Sequence, residues 1–168
     1  MPLPPKPDFL LISEFDDPEP IVGDLFRRKF GHAIPAWKHD LVAFVRAAPD
    51  APLVPISYAK FMPFGSVILV GGCCTDGRAF AHLSESQKAA LGAAGGAMAQ
   101  LLRYGFVRFA ERCDAYFGYC GDARAWEVDL SAGFEATGHD KLLVHWHKPL
   151  DARLKLGLVA MAQALGAF

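Results

Sequence analysis

The sequence predicts a mixed α/β domain of the α+β kind: a central, mostly antiparallel sheet flanked by helices, with an extra helix at the C-terminal end. Three observations predict it. Two apolar runs, 53–61 and 66–74, are joined by Met62-Pro63-Phe64-Gly65, which has the proline and glycine of a hairpin connection. A long helical stretch follows from Ser84-Glu85-Ser86-Gln87, where Ser84 can accept from the first helix amides and Gln87 can reach back. An aromatic run, 115–120, then delivers the chain onto a short amphipathic segment, 122–134.

Taken in order, 9–13 is a short apolar run ended by Asp16-Asp17-Pro18-Glu19-Pro20, so it reads as a first strand and turn. Ile21, Val22, Leu25, Phe26 and Phe30 recur with helical period and Gly31 supplies a stop, which predicts a helix over 21–30. The same pattern in Trp37, Leu41, Val42, Phe44 and Val45, after Pro35, predicts a second helix over 36–48. Pro52 and Pro55 predict an edge position or an irregular entry for the strand that follows, because proline cannot donate to a sheet ladder. The central helix is expected to run from Ser84 to Arg112. Residues 135–137 and 141–147, around Gly138-His139-Asp140, predict a terminal hairpin, and 151–168 a last helix without interior proline. Its Leu154, Leu156, Leu158, Val159, Met161, Leu165 and Phe168 either cover the sheet or pair with a second copy, so a homodimer is an expectation.

The 168 residues fit one domain, 1–168, with 1–8 as a flexible or extended start, and 52% hydrophobic content supports a sizeable core. A net charge of −1 and a pI near 6.6 give no basic footprint, so neither nucleic acid nor an anionic membrane is expected as a partner. No apolar run reaches the roughly 18 residues of a membrane span, and the proline-rich start lacks a signal core; both point to a cytoplasmic location. Cys73, Cys74, Cys113 and Cys120 are expected as free thiols. His145 and His147 share a strand face by the period of two, but neither a CxxC nor an HExxH spacing accompanies them, so no metal is expected.

Asp122-Ala123-Arg124-Ala125-Trp126-Glu127-Val128-Asp129-Leu130-Ser131-Ala132-Gly133-Phe134 resembles the last helix of the GNAT acyltransferase superfamily, with its Asn-x-x-Ala-x-x-Leu-Tyr-x-x-x-Gly-Phe pattern. Ala125, Gly133 and Phe134 match; Asp122 stands for Asn, Val128 for Leu and Asp129 for Tyr. The resemblance extends loosely over 9–148 and implies a GNAT-like sheet. It also implies transfer of an acyl group from acetyl-coenzyme A, or another acyl-coenzyme A, to a small-molecule amine by direct attack. A longer acyl chain, as in autoinducer or N-acyl amino acid synthases, and a non-catalytic binding or assembly domain are the alternatives.

That chemistry needs backbone amides at a helix N-terminus for the pyrophosphate, a donor for the thioester and leaving thiolate, and a way to take a proton from the amine. Two segments compete for the first task. If the helix starts late, Gly92, Gly95 and Gly96 stand where the family has its glycine loop; if it starts at Ser84, the cradle falls on 74–80, with Cys74, Thr75 and the cation of Arg78. Asp129 takes the place of the family's tyrosine and can donate only when protonated, since an ionised carboxylate accepts hydrogen bonds and repels a forming thiolate. Tyr119 or Tyr116 is the alternative donor, Cys120 a candidate nucleophile, and Asp122 either orients an amine or caps the helix.

Overall fold

The computed structural model describes residues 5–36 and 38–168. Along the chain run β1 (Leu10–Phe15), α1 (Glu19–Phe30), β2 (Asp40–Val45), β3 (Val54–Phe64), β4 (Val67–Thr75), a short 3-10 turn (Gly77–His82), α2 (Glu85–Ala93), α3 (Ala97–Arg108), β5 (Ala115–Tyr119), α4 (Ala123–Ala132), β6 (Glu135–Ala136), β7 (Leu142–Trp146) and α5 (Ala152–Leu165). The strands form one sheet in the order β1-β2-β3-β4-β5-β7-β6, in which every neighbouring pair is antiparallel except β4 and β5. This is the mixed, mostly antiparallel sheet expected from the sequence. No helix among the described residues is long and apolar enough to cross a membrane.

The expected second helix is a strand. Asp40–Val45 is inserted between β1 and β3 and is buried along its whole length. A strand covered on both faces shows a continuous apolar run instead of alternation, and such a run also satisfies the helical template. Trp37, part of that expectation, lies outside the described residues, as do 1–4 of the expected flexible start. The proline reading divides likewise. β3 is an interior strand, not an edge, but its entry is irregular: the register shifts between Ala43 and Phe44, where Phe44 faces Pro55, so the missing amide falls at a bulge.

Helices cover both faces. On one, α3 lies across β2 and β3 with α4 beside it, around Leu41, Ile56, Phe61, Leu101, Leu102, Phe106 and Tyr116. On the other, α1 packs Val22, Leu25 and Phe26 against Val42, Phe44 and Tyr58, while α5 sets Leu158, Val159, Met161 and Ala162 against Met62, Leu69, Phe117 and Val144. Each fully buried Leu, Ile or Phe of this kind contributes about 1.5–3 kcal/mol. α5 therefore covers the sheet as expected, although Leu156 on its outer side remains 72% exposed.

One glycine sets how close α3 sits. A Cβ at Gly105 would penetrate the Phe61 ring of β3, so Gly105 lets helix backbone rest directly on an aromatic face. In a solvated helix, glycine to alanine stabilises by up to about 1 kcal/mol. At this position the sign reverses: Gly105→Ala is expected to lower stability by about 1–3 kcal/mol through overpacking, measured as a reduced denaturant midpoint at unchanged slope.

Candidate functional site

β4 and β5 pair only from Val67 to Val70 and from Ala115 to Gly118. Beyond Val70 the register of β4 against β3 slips, so that Lys60 faces Gly71 and Tyr58 faces Cys74, leaving Gly72 and Cys73 opposite Ala59 alone. Gly72 takes φ +61°, a left-handed conformation that side chains rarely adopt. A bulge of this kind bends its strand, and the bend leaves a cleft between the two strands with a volume of about 430 Å³. Ligand sites commonly occupy such pockets.

Five elements meet there, the end of α1 with Lys29 and Phe30 among them. Gly71–Thr75 of β4 form one edge and Tyr119 and Cys120, at the end of β5, the other; α4 contributes Asp122, Ala125, Val128 and Asp129, and the first turn of α3 contributes Met98. The cleft opens on both faces of the sheet. Cys73, Met98 and Val128 pack with the core under α3 and α4, whereas Cys74 packs with α1 and Phe168 with the α5 side.

Asp129, Tyr119, Asp122, Cys120, Cys74 and Thr75 thus line one cleft, but they hold different positions in it. Asp122 accepts from the Ala125 amide at 2.8 Å and caps α4, so one of its oxygens is engaged. Tyr119 lies on the α5 side, where its ring meets Phe168. Tyr116 is withdrawn altogether: it is fully buried and donates to the Phe106 carbonyl at 2.8 Å.

Arg78 lies outside the cleft. It forks onto Asp76 with Nε–Oδ1 at 3.1 Å and Nη2–Oδ2 at 3.0 Å, and Arg28 adds a third contact at 3.2 Å. These bonds, Arg78 first, hold the Asp76 carboxyl down at about 2. The cations that do line the cleft are Lys29, at the end of α1, and Arg124 of α4.

The two expectations for the helix start are each met in part. Ser84 caps α2 with the full reciprocal box: Gln87 N–H donates to Ser84 Oγ at 3.2 Å and Ser84 N–H donates to Gln87 Oε1 at 2.9 Å. The helix nevertheless stops at Ala93, and a second start follows at Ala97. Gly92 falls inside α2, away from the cleft, while Gly95 (φ +92°) and Gly96 (φ +89°) make the break. The predicted single helix fails there because successive left-handed residues cannot continue a right-handed one. Gln100 and Arg103 brace the break, both donating to the Ala94 carbonyl, at 2.7 and 3.0 Å, and Arg103 also reaches Ser131 O at the end of α4. α3 therefore begins at a glycine with no side-chain cap, leaving its first amides available for an anion.

Asp129 is the chemically distinctive group. Burial raises its carboxyl to about 6, against a smaller lowering contribution from the neighbouring Cys120 thiol. The Cys120 thiol donates to Asp122 O at 3.3 Å, and burial raises its pKa; Cys73 is raised for the same reason, with the Asp129 charge adding to it. In all three groups burial shifts the balance toward the protonated form relative to the free side chain. The paired histidines are engaged elsewhere: His145 Nδ1 contacts Gly133 O and His147 Nε2 contacts Ala110 O, each at 2.8 Å. Among the described residues no group of three His, Cys, Asp or Glu side chains is placed to hold a metal.

Sequence reasoning missed Gly71, Gly72, Met98 and Phe168. The signal for the first two was present, since adjacent glycines inside a strand mark a bulge or a close approach.

The Asp129 carboxyl is expected to titrate near pH 6 in a side-chain 13C NMR titration. Because its folded value lies above the unfolded one, the native state binds the extra proton between about pH 4 and 6. Wild-type stability should therefore fall relative to Asp129→Asn as pH rises through that window. A carboxyl titrating near 4, or parallel pH–stability curves for the two proteins, would contradict this environment.

No protein-family model and no curated protein matches the chain. Solved structures do. The ribosomal-protein-S18-alanine N-acetyltransferase from Escherichia coli superposes with a TM-score of 0.53 at 9% identity, over 85% of this chain and 97% of that one. An acetyltransferase from Exiguobacterium sp. 255-15 aligns at TM-score 0.45 and 10% identity, over 89% and 97% of the two chains. One from Pyrococcus horikoshii aligns at 0.47 and 12%, over 79% and 45%. The sheet order, the β4/β5 cleft and the superposition on the Escherichia coli enzyme together show that this chain has the fold of the GNAT acetyltransferases.

Proposed function

We propose that the protein transfers an acyl group, most simply the acetyl of acetyl-coenzyme A, to a small-molecule amine by direct attack within the β4/β5 cleft. The observation that carries the reading is the cleft between the parted strands of an acetyltransferase-like sheet, lined by the first turn of α3 and by Asp129, whose carboxyl burial raises to about 6. The thioester supplies the activated acyl group. Asp129 in its acid form donates its proton to the departing sulfur and recovers one from the attacking amine, so protons balance over the cycle. The uncapped amides of α3 at Ala97 and Met98 and the cations of Lys29 and Arg124 suit a pyrophosphate. Cys120, kept as a neutral thiol, is a poor nucleophile, which favours direct transfer over an acyl-enzyme.

Acetyl-coenzyme A at millimolar concentration is expected to raise the melting temperature, because a ligand bound only by the native state stabilises it by mass action. Free and long-chain acyl-coenzyme A serve as comparisons; a larger shift with the long chain would replace acetyl as the group carried, and no shift with any of the three would overturn the reading. In turnover, the rate limb due to Asp129 should fall as pH rises through about 6. Asp129→Asn should remove that limb and lower kcat about 100-fold. An unaltered profile would dismiss Asp129 from the reaction.

A further inference from the structure

Gly71 lies in β4 with a backbone conformation open to any residue, so its own φ does not call for glycine. Its neighbour does. A Cβ at Gly71 would stand 2.8 Å from the main-chain oxygen of Phe168 and 3.2 Å from its carbonyl carbon, with Lys60 Cε at 3.7 Å. A Cβ on the adjoining Gly72 would meet the Phe26 ring at 3.0 Å and Lys60 Cε at 3.3 Å. On the α5 side the cleft is therefore a slot in which a main chain lies directly against β4. Gly71 and Gly72 form its floor over the buried Lys60 stem, and Tyr119 forms a wall.

The chain fills that slot itself. α5 ends at Leu165, and Gly166, at φ +72° and ψ −149°, takes a conformation that glycine alone adopts readily. The turn sends the next two residues off the helix axis. Phe168 thereby lays its main chain on Gly71 and its ring against Tyr119, centroids 6.1 Å apart at 63°. An apolar plug would need only the ring. The close main-chain approach is admitted by a glycine whose own φ does not require one, as where a ligand or a second backbone comes close to a strand.

We propose that this slot binds an aminoacyl or peptide main chain bearing an aromatic side chain, and that residues 166–168 occupy it in cis and compete with such a ligand. An aromatic α-amino acid carries the same two elements as Phe168, a main-chain carbonyl oxygen and a ring on one Cα. The cis occupancy stands on the contacts alone; that the competing ligand is the acyl acceptor rests on the acyl-transfer reading above.

Hydrogen exchange and calorimetry with L-phenylalanine test it on wild type, Phe168→Ala and the double variant Phe168→Ala/Gly71→Ala, each first shown to melt cooperatively. Amides of 71–75 should exchange faster in Phe168→Ala. That variant should bind L-phenylalanine at least about tenfold more tightly than wild type, since a competing internal segment lowers apparent affinity by the fraction of open sites. The double variant should lose binding, because the added Cβ occupies the slot. Unchanged exchange at 71–75 overturns the cis occupancy. Absent binding to Phe168→Ala, or equal binding to all three proteins, overturns the ligand class. Acetyl-coenzyme A binding is read separately, so its failure touches only the acyl-transfer reading and the results here touch only the slot.

Discussion

The structure turns on the brevity of one strand pairing. Among the described residues β4 and β5 are the only parallel neighbours in the sheet, and they stay together for four residues each. Had the ladder continued, Gly71 to Thr75 would be hydrogen-bonded to the chain after Gly118, and no cleft would exist. The bulge at Gly72 and Cys73 ends it by giving β4 an extra residue against β3, and local twist does the rest. The cost is an interrupted ladder in the middle of a sheet. It is sustained by the flanking strands and by α3, whose backbone rests on the Phe61 ring beside the interruption.

Everything of chemical interest follows from that gap. It brings the start of α3 and the whole inner side of α4 to one place, and it lets Asp129 sit among apolar neighbours that shift its carboxyl upward. The same opening on the opposite face admits the main chain of Phe168. Two faces of one gap thus hold separate groups, Asp129 on the α3/α4 side and the main chain of Phe168 on the α5 side. The break at Gly95-Gly96 serves the first, because it restarts a helix, without a cap, beside the cleft.

Much of this was legible in the residues, and the failures share a physical cause. The hairpin, the Ser84 box, the aromatic strand and the short helix were read correctly because each depends on local chemistry: a turn pair, a cap, alternation, a glycine stop. The strand at Asp40–Val45 was misread because its burial on both faces is decided by partners distant in sequence, which erase the alternation that identifies strands. In the site, proximity of Asp129 to Cys120 was legible through one helix and one strand end. The withdrawal of Tyr116 and the capture of Arg78 by Asp76 were not, since each depends on a neighbour's geometry. The role of Gly71 was hidden for the same reason: its partner, Phe168, lies nearly a hundred residues away.

The most direct test of the central claim is hydrogen exchange mapped with and without coenzyme A. The account predicts slower exchange confined to the open edge of β4 at 71–75, the first turn of α3 at 96–99, and the junction at 119–125. Binding that protects some other surface, or saturating coenzyme A that protects none of these three segments, would contradict the placement of the reaction between the parted strands.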